Sequence, residues 1–281
     1  MFRAYGNEDQ KKEFWSRMAV DTLASFGLSE VSSGSDALSL KTTAVKDGEH
    51  YVLNGSKAWI TNAAEAGVFL IMANAAPEKG YKGITCFIVE RDQEGFEVMA
   101  KEDKLGIRAS STCGLTLDNV RVHKDNILGA EGQGARMALS SLNEGRLGIA
   151  AQMLGLARGA MDATLPYIRE RKQFNTPIAD FQVVQHRVAE LATQIEAARL
   201  LTYNGCRMQE AGQDVALAGA QAKYIASEIA QKASFECVKL MGGVGFMNSS
   251  LPSRMYRDSV IGSIYEGTTF VQLSTIARHV L

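Results

Sequence analysis

A carboxylate in this chain stands where proton chemistry could be done. Glu266 lies between Tyr265 and Gly267, just after the apolar Ile261 and Ile264. Apolar surroundings raise a carboxyl pKa, which suits a general base near neutral pH; an exposed loop carboxylate is the alternative. Upstream, Arg169, Arg171 and Lys172 precede a turn at Asn175-Thr176-Pro177. An arginine fork matches the oxygens of a diphosphate, although a charged inter-helix loop has the same composition. Gly242, Gly243 and Gly245 allow close backbone approach to a ligand. They do not form the GxGxxG pattern after a strand, so a Rossmann site is not indicated. Two further segments could hold a flat polar ligand. Phe26–Asp36 gathers hydroxyl residues around Gly34, and Lys57–Thr61 carries Trp59, which could stack, and Thr61, which could hydrogen-bond an edge. A solvent loop and a core tryptophan are the plainer accounts of these two.

Other chemistries have little support. The four cysteines and four histidines are scattered, without CxxC or HxxxH spacing, so no metal site is expected. Thirty basic and thirty-one acidic residues leave a formal charge of −1, which gives no pull toward nucleic acid. Apolar runs such as Val68–Ala73 fall well short of the ~20 residues needed to span a bilayer. Met1–Asn7 is expected to be a short lead-in rather than a signal or transit segment.

The elements that must position these residues have two textures. The 281 residues, 46% hydrophobic and 22% charged, correspond to about two soluble domains. A helix is expected over Asn7–Leu23. Short β-like runs follow at Leu40–Val45, Tyr51–Leu53, Lys57–Thr61, Val68–Asn74, Gly83–Glu90, Glu97–Ala100 and Gly114–Leu117, with Asn54-Gly55 expected as a tight turn. They predict a mostly antiparallel β-domain. From about Glu131 the texture is helical. Val184, Val188, Leu191, Ile195 and Ala198 form a stripe of the four-helix-bundle kind. Other helices are expected over Arg136–Arg169, with Pro166 near its end, over Asp214–Met241, stopping at Gly242-Gly243, and within Arg254–Leu281. The fold class is therefore α+β: residues 1–25 a helical remnant, 26–128 the β-domain, and 129–281 the helical bundle.

Taken together, the segments resemble the acyl-CoA dehydrogenase family. The β-domain carries LSE…GSD, KAWITN and KLGIRASST; the helical part carries RKQF, FQ, GGVGF and RD…IYEGT in family order. YKGIT at Tyr81–Thr85, LGIRASSTC at Leu105–Cys113 and SLNEGRLGIAAQMLGLA at Ser141–Ala157 resemble the members acting on short and branched acyl chains. The resemblance covers Asn7–Leu281. It implies FAD as cofactor, α,β-dehydrogenation of an acyl-CoA, an electron-transfer flavoprotein as acceptor, a homotetramer and a mitochondrial matrix location. An oxidase on the same scaffold and a non-catalytic subunit are the alternative functions. A full family member also carries an N-terminal helical domain, most of which would precede Asn7.

The resemblance also assigns residues. Phe26, Leu28, Ser29, Gly34 and Ser35 would line the flavin and the thioester entrance, and Trp59, Ile60 and Thr61 would flank the isoalloxazine. Arg171 and Gln182 would hold the FAD of a neighbouring subunit, with Lys239, Leu240, Met241, Gly242 and Gly243 beside them. Thr268, Thr269 and Phe270 would touch its diphosphate and adenosine region. Ser35, Tyr81, Ala135, Asn143, Glu144, Gly145 and Arg146 would face acyl-CoA. Glu266 would be the base. Some branches of the family place the base on the long helix instead, at the position of Gly145, and glycine cannot take a proton. Three departures from the family pattern stand out. Val31-Ser32-Ser33-Gly34 is bulkier than the usual loop, Asn175 replaces a glycine, and Phe270 occupies a commonly polar position.

Overall fold

Asn7 opens the first substantial helix through a capping box: its side chain accepts from the Gln10 amide, and the Gln10 side chain accepts from the Asn7 amide. The computed structural model describes residues 1–281 and divides into two units, Met1–Lys104 with Arg108–Ser141, and Leu105–Ile107 with Leu142–Leu281.

In the first unit, α1 (Phe2–Tyr5) and α2 (Glu8–Met18) precede seven strands: β1 (Leu23–Gly27), β2 (Thr43–Asp47), β3 (His50–Thr61), β4 (Ala66–Asn74), β5 (Ile84–Glu90), β6 (Phe96–Lys101) and β7 (Thr112–His123). Gln10 donates to the Asp125 and Ile127 carbonyls at 2.8 and 2.9 Å, and Arg17 forks onto Glu90 at 2.6 and 2.8 Å. These bonds fix α2 beside the sheet. The strand order is β1-β4-β2-β3-β7-β6, with β5 also paired to β4. Most pairings are antiparallel, as expected, but β1–β4 and the single β2–β4 pairing are parallel, so the sheet is mixed. Phe69, Ile71, Phe87, Val89, Leu53, Leu115 and Val120 fill its core. Almost every residue of β4 is buried, which explains its unbroken apolar run.

Asn54-Gly55 is not a turn. β3 runs straight through it, with a register irregularity between Leu53 and Gly55 against β7. Gly55 has φ +147°, and a Cβ there would stand 2.8 Å from the Thr42 Cα, so its bare backbone is what lets Thr42 approach. The β2–β3 hairpin turns instead between Asp47 and His50, with Gly48 at φ +61°.

The helix α3 (Gly134–Glu170) begins in the first unit and continues in the second. It passes Pro166 and ends four residues later. A two-stranded hairpin, β8 (Lys172–Gln173) and β9 (Thr176–Pro177), follows, then α4 (Gln182–Glu210), α5 (Ala216–Phe246), α6 (Leu251–Ser259) and α7 (Thr269–Val280). Leu147, Met153, Ala157, Leu191, Ala198, Ala226, Ile229 and Ala233 pack the bundle core. Ala-rich faces let the helices approach closely. The long helical run of α5 breaks at Gly242 (φ +58°, ψ −135°), where the stop is expected, and a short further helical stretch runs on to Phe246. No helix is long and apolar enough to cross a membrane.

Candidate active site

In the second unit a buried charge cluster forms around Glu266. This residue lies between a short 3-10 turn over Val260–Ser263 and α7, whose first turn Thr268 caps by accepting from the Val271 amide. Glu266 has φ +53° and Gly267 +86°, so two successive residues are left-handed. A β-carbon on the residue before Gly267 makes that conformation costly, and such strain persists only where the surroundings enforce it. The enforcing contacts are visible. Gln272 on α7 donates Nε2 to the Glu266 carbonyl at 3.1 Å and to the Gly267 carbonyl at 2.8 Å. The Lys223 ammonium on α5 donates to the same Gly267 carbonyl.

The Glu266 carboxylate turns toward α3, where Gly145 leaves room: a Cβ on Gly145 would lie 2.6 Å from Glu266 Oε2. Arg146, the next residue of α3, is 8% exposed and its Nε has no hydrogen-bond partner. Burial pushes the Glu266 carboxyl above the ordinary carboxylate range, and the Lys223 and Arg146 charges pull it part of the way back. Burial lowers the Lys223 ammonium to about 8, against the opposing pull of Glu266. Burial also lowers Arg146, and it raises the Tyr265 hydroxyl to about 12. Tyr265 donates that hydroxyl to Gln152 on α3. The arrangement is a carboxylate of raised basicity, half-buried, with two cations near it. It can accept a proton from a weak carbon acid. Of the other residues of this stretch, Asn143 is half-buried and Glu144 is exposed, carried away from the Glu266 side by the ~100° step of a helix.

The residues expected around a cofactor fall in both units. In the second, Arg171 exposes a guanidinium that no carboxylate pairs, while its backbone is tied by an accepted bond from Ile178 and a donated one to Tyr167, both 2.9 Å. The hairpin behind it has Phe174 at φ +50° and Asn175 at +63°, so Asn175 takes the left-handed turn that a glycine would. Gln182 is exposed at the start of α4, and Gly242 and Gly243 have open space where a Cβ would stand. Lys239 pairs with Glu236 at 2.9 Å, Met241 accepts from the Thr164 hydroxyl, and Leu240 is half-buried. Thr268 and Thr269 are half-buried, and Phe270 is 79% exposed.

In the first unit, Trp59 sits at φ +58° on β3, where the β7 register shifts, and its side chain is 55% exposed. Thr61 is exposed too, whereas Ile60 points into the core. Leu28 and Ala135 are buried, Phe26 and Ser29 half-buried, and Gly34, Ser35 and Tyr81 exposed.

This sheet also holds an ion pair that sequence reasoning missed. Lys57 and Glu30, both buried, meet at 2.8 Å. Lys57 also donates to the Leu28 carbonyl at 3.2 Å, and Glu30 accepts from the Lys41 and Thr42 amides at 2.7 and 3.0 Å. The pair fixes the start of the Leu28–Asp36 loop against β3. Burial raises the Glu30 carboxyl, but its bonds from Lys57, Thr42 and Lys41 win and hold it below the ordinary range. Lys223 and Gln272 were missed as well. The only signal for Lys223 was a lone lysine in the alanine-rich run AGAQAKYIA.

Each unit, taken by itself, has groups that suit a flavin dinucleotide: an exposed aromatic plane and hydroxyl in the first, an unpaired guanidinium and a bare glycine pair in the second. Known proteins resemble this chain over most of its length. The family pattern described as "Acyl-CoA dehydrogenase, middle domain" matches residues 25–120, and "Acyl-CoA dehydrogenase, C-terminal domain" matches residues 132–281. The chain is 53% identical over 280 residues to the rat short/branched chain specific acyl-CoA dehydrogenase, mitochondrial, covering 100% of this chain and 65% of that protein. It is 52% identical to a probable short/branched chain specific acyl-CoA dehydrogenase of Dictyostelium discoideum, covering 99% and 67%. The chain thus spans about two-thirds of the length of these relatives. Among solved structures, butyryl-CoA dehydrogenase from Megasphaera elsdenii superposes with a TM-score of 0.97 at 38% identity, covering 99% of this chain and 73% of that one.

Proposed function

Because the chain belongs to the acyl-CoA dehydrogenase family, we propose that it catalyses the FAD-dependent α,β-dehydrogenation of short or branched acyl-CoA thioesters to 2-enoyl-CoA, with Glu266 as the base. One observation carries this reading: the Glu266 carboxylate is half-buried against the bare Gly145, and burial raises its basicity. FAD, when bound, supplies the acceptor for the hydride that leaves the β-carbon. The residues of this chain do the rest. Glu266 removes the proton alpha to the thioester carbonyl. Arg146 and Lys223 set the charge of that carboxylate from α3 and α5. Ser35, Tyr81, Ala135 and Asn143 to Arg146 face the acyl-CoA. Phe26, Leu28, Ser29, Gly34, Trp59 and Thr61 line the flavin, while Ile60 between them offers only its backbone because its side chain lies in the core.

Arg171 and Gln182, with the Lys239–Gly243 segment and Thr268 to Phe270, hold the dinucleotide of a neighbouring subunit. This makes the working unit a homo-oligomer, a tetramer by family analogy. Electrons pass on to an electron-transfer flavoprotein. The mitochondrial names of the rat and bovine relatives support a mitochondrial matrix location. The test is spectroscopic. Purified protein carries a yellow flavin that bleaches anaerobically on addition of a short branched acyl-CoA. A colourless protein, or a flavin that stays oxidised, contradicts the proposal.

A further inference from the structure

Three hydrogen bonds from two side-chain donors converge on two successive backbone carbonyls at the Glu266–Gly267 turn. Gln272 Nε2 serves both carbonyls and Lys223 Nζ serves that of Gly267. Both side chains are sequestered: Gln272 is wholly buried and Lys223 is 1% exposed. A Cβ on Gly267 would stand 2.6 Å from Gln272 Nε2, so the amide is packed directly on the turn. A neutral donor would satisfy the Gly267 carbonyl as well as an ammonium does, and burying an ammonium without a paired carboxylate is costly. Lys223 makes no ion pair within the chain; the carboxylate its charge acts on is Glu266. Its charge therefore has a use that its hydrogen bond does not explain.

We propose that Lys223 and Gln272 are positioning residues for the proton-transfer step, clamping the left-handed Glu266–Gly267 turn so that the Glu266 carboxylate faces Gly145, with Lys223 also supplying a fixed positive charge to that carboxylate. The inference rests on the reading of Glu266 as the base. Its two members act differently. Gln272 is neutral and acts through backbone geometry alone. Lys223 acts through geometry and field together. The other charged or titratable groups that face Glu266 are Arg146 from α3 and the adjacent Tyr265. On α5, Glu228 accepts from the Thr269 hydroxyl beyond the turn, and α7 contributes only the neutral Gln272. Removing Lys223 leaves Arg146 as the only nearby cation.

The experiment compares wild type with K223M, K223R, Q272M and E266Q. Infrared difference spectra across pH, without substrate, follow the carboxyl band that is lost in E266Q and hence belongs to Glu266. Turnover across pH gives kcat and KM separately. K223M should move the Glu266 titration upward by about one pH unit and lower kcat at pH 7 about tenfold, with KM and FAD content unchanged, and K223R should restore both. K223Q carries the same expectation should K223M be insoluble. Q272M should leave the titration in place and lower kcat at every pH. An unshifted titration in K223M, or a loss of kcat in K223R equal to that in K223M, overturns the role of the charge. Unchanged kcat in Q272M overturns the clamp. If E266Q turns over like wild type, the base assignment fails, while the titration still decides whether Lys223 acts on Glu266.

Discussion

Glu266 Oε2 and the Cα of Gly145 are close enough that no β-carbon fits between them: a Cβ on Gly145 would stand 2.6 Å from that oxygen. The carboxylate reaches its place from a left-handed turn on one side, and the missing side chain on α3 receives it on the other. Gly145→Ala should therefore displace the carboxylate rather than break the helix. Alanine is the better helix former, and the atom that must move is the free end of a side chain. Thermal stability should be unchanged or slightly raised, while the rate of flavin reduction falls at least ~10-fold because a proton acceptor works only when correctly placed. Stopped-flow reduction beside a melting curve separates the two effects, and an unimpaired rate would show that the close approach has no catalytic meaning.

The Glu30–Lys57 pair should matter for stability in a pH-dependent way. Glu30→Gln leaves a buried ammonium without its carboxylate, which costs about 3 kcal/mol. Replacing both partners together, as Glu30→Leu with Lys57→Met, should cost less than Glu30→Gln alone. The folded Glu30 carboxyl titrates below its ordinary value, so its contribution is present above the ordinary carboxylate range and is lost as pH falls through the folded value. Denaturant unfolding at pH 7 and at pH 3 should show a large gap between wild type and Glu30→Gln at the first pH and a small one at the second. A gap that stays constant would mean that the ion pair is not its origin.

Arg171 presents a guanidinium free of any carboxylate on a backbone held at both ends. On the proposed function it contacts the FAD of a neighbouring subunit. Arg171→Ala should then lower FAD retention through gel filtration and shift the assembly toward smaller species in the same sample, since one charge-assisted contact serves both. Flavin content and elution volume, measured together, check this. If both match wild type, Arg171 does not hold the dinucleotide.

Much of this architecture was legible in the sequence, and the exceptions share a cause. Helical stripes such as Val184 to Ala198 and the apolar run of β4 announce themselves because burial of one face imposes its period. Asn54-Gly55 misleads because the same dipeptide serves a tight turn and a bulged strand. What decides is the distant Thr42 pressed against Gly55, which no local window contains. Gly242, by contrast, was legible as a helix stop and does break the helix; the short helical stretch to Phe246 beyond it was not. Glu266 was legible as a candidate base because it follows an apolar stretch in a distinctive motif. Its supports were not. Lys223 lies 43 positions upstream on another helix, and Gln272 is an ordinary polar residue until the turn it clasps is known. The Glu30–Lys57 pair joins residues 27 apart whose charges look solvent-bound in the linear chain.

The identity of the base is the central claim, and flavin bleaching in two variants tests it most directly. Glu266→Gln keeps the shape of the side chain and removes its basicity, and Glu144→Gln does the same to the exposed carboxylate beside Gly145. Both should bind FAD normally. With a short branched acyl-CoA under anaerobic conditions, Glu266→Gln should bleach roughly 10²- to 10⁴-fold more slowly than wild type, the usual worth of a general base, and Glu144→Gln should bleach nearly as fast as wild type. Rapid bleaching in Glu266→Gln, or loss of bleaching in Glu144→Gln alone, would contradict the assignment.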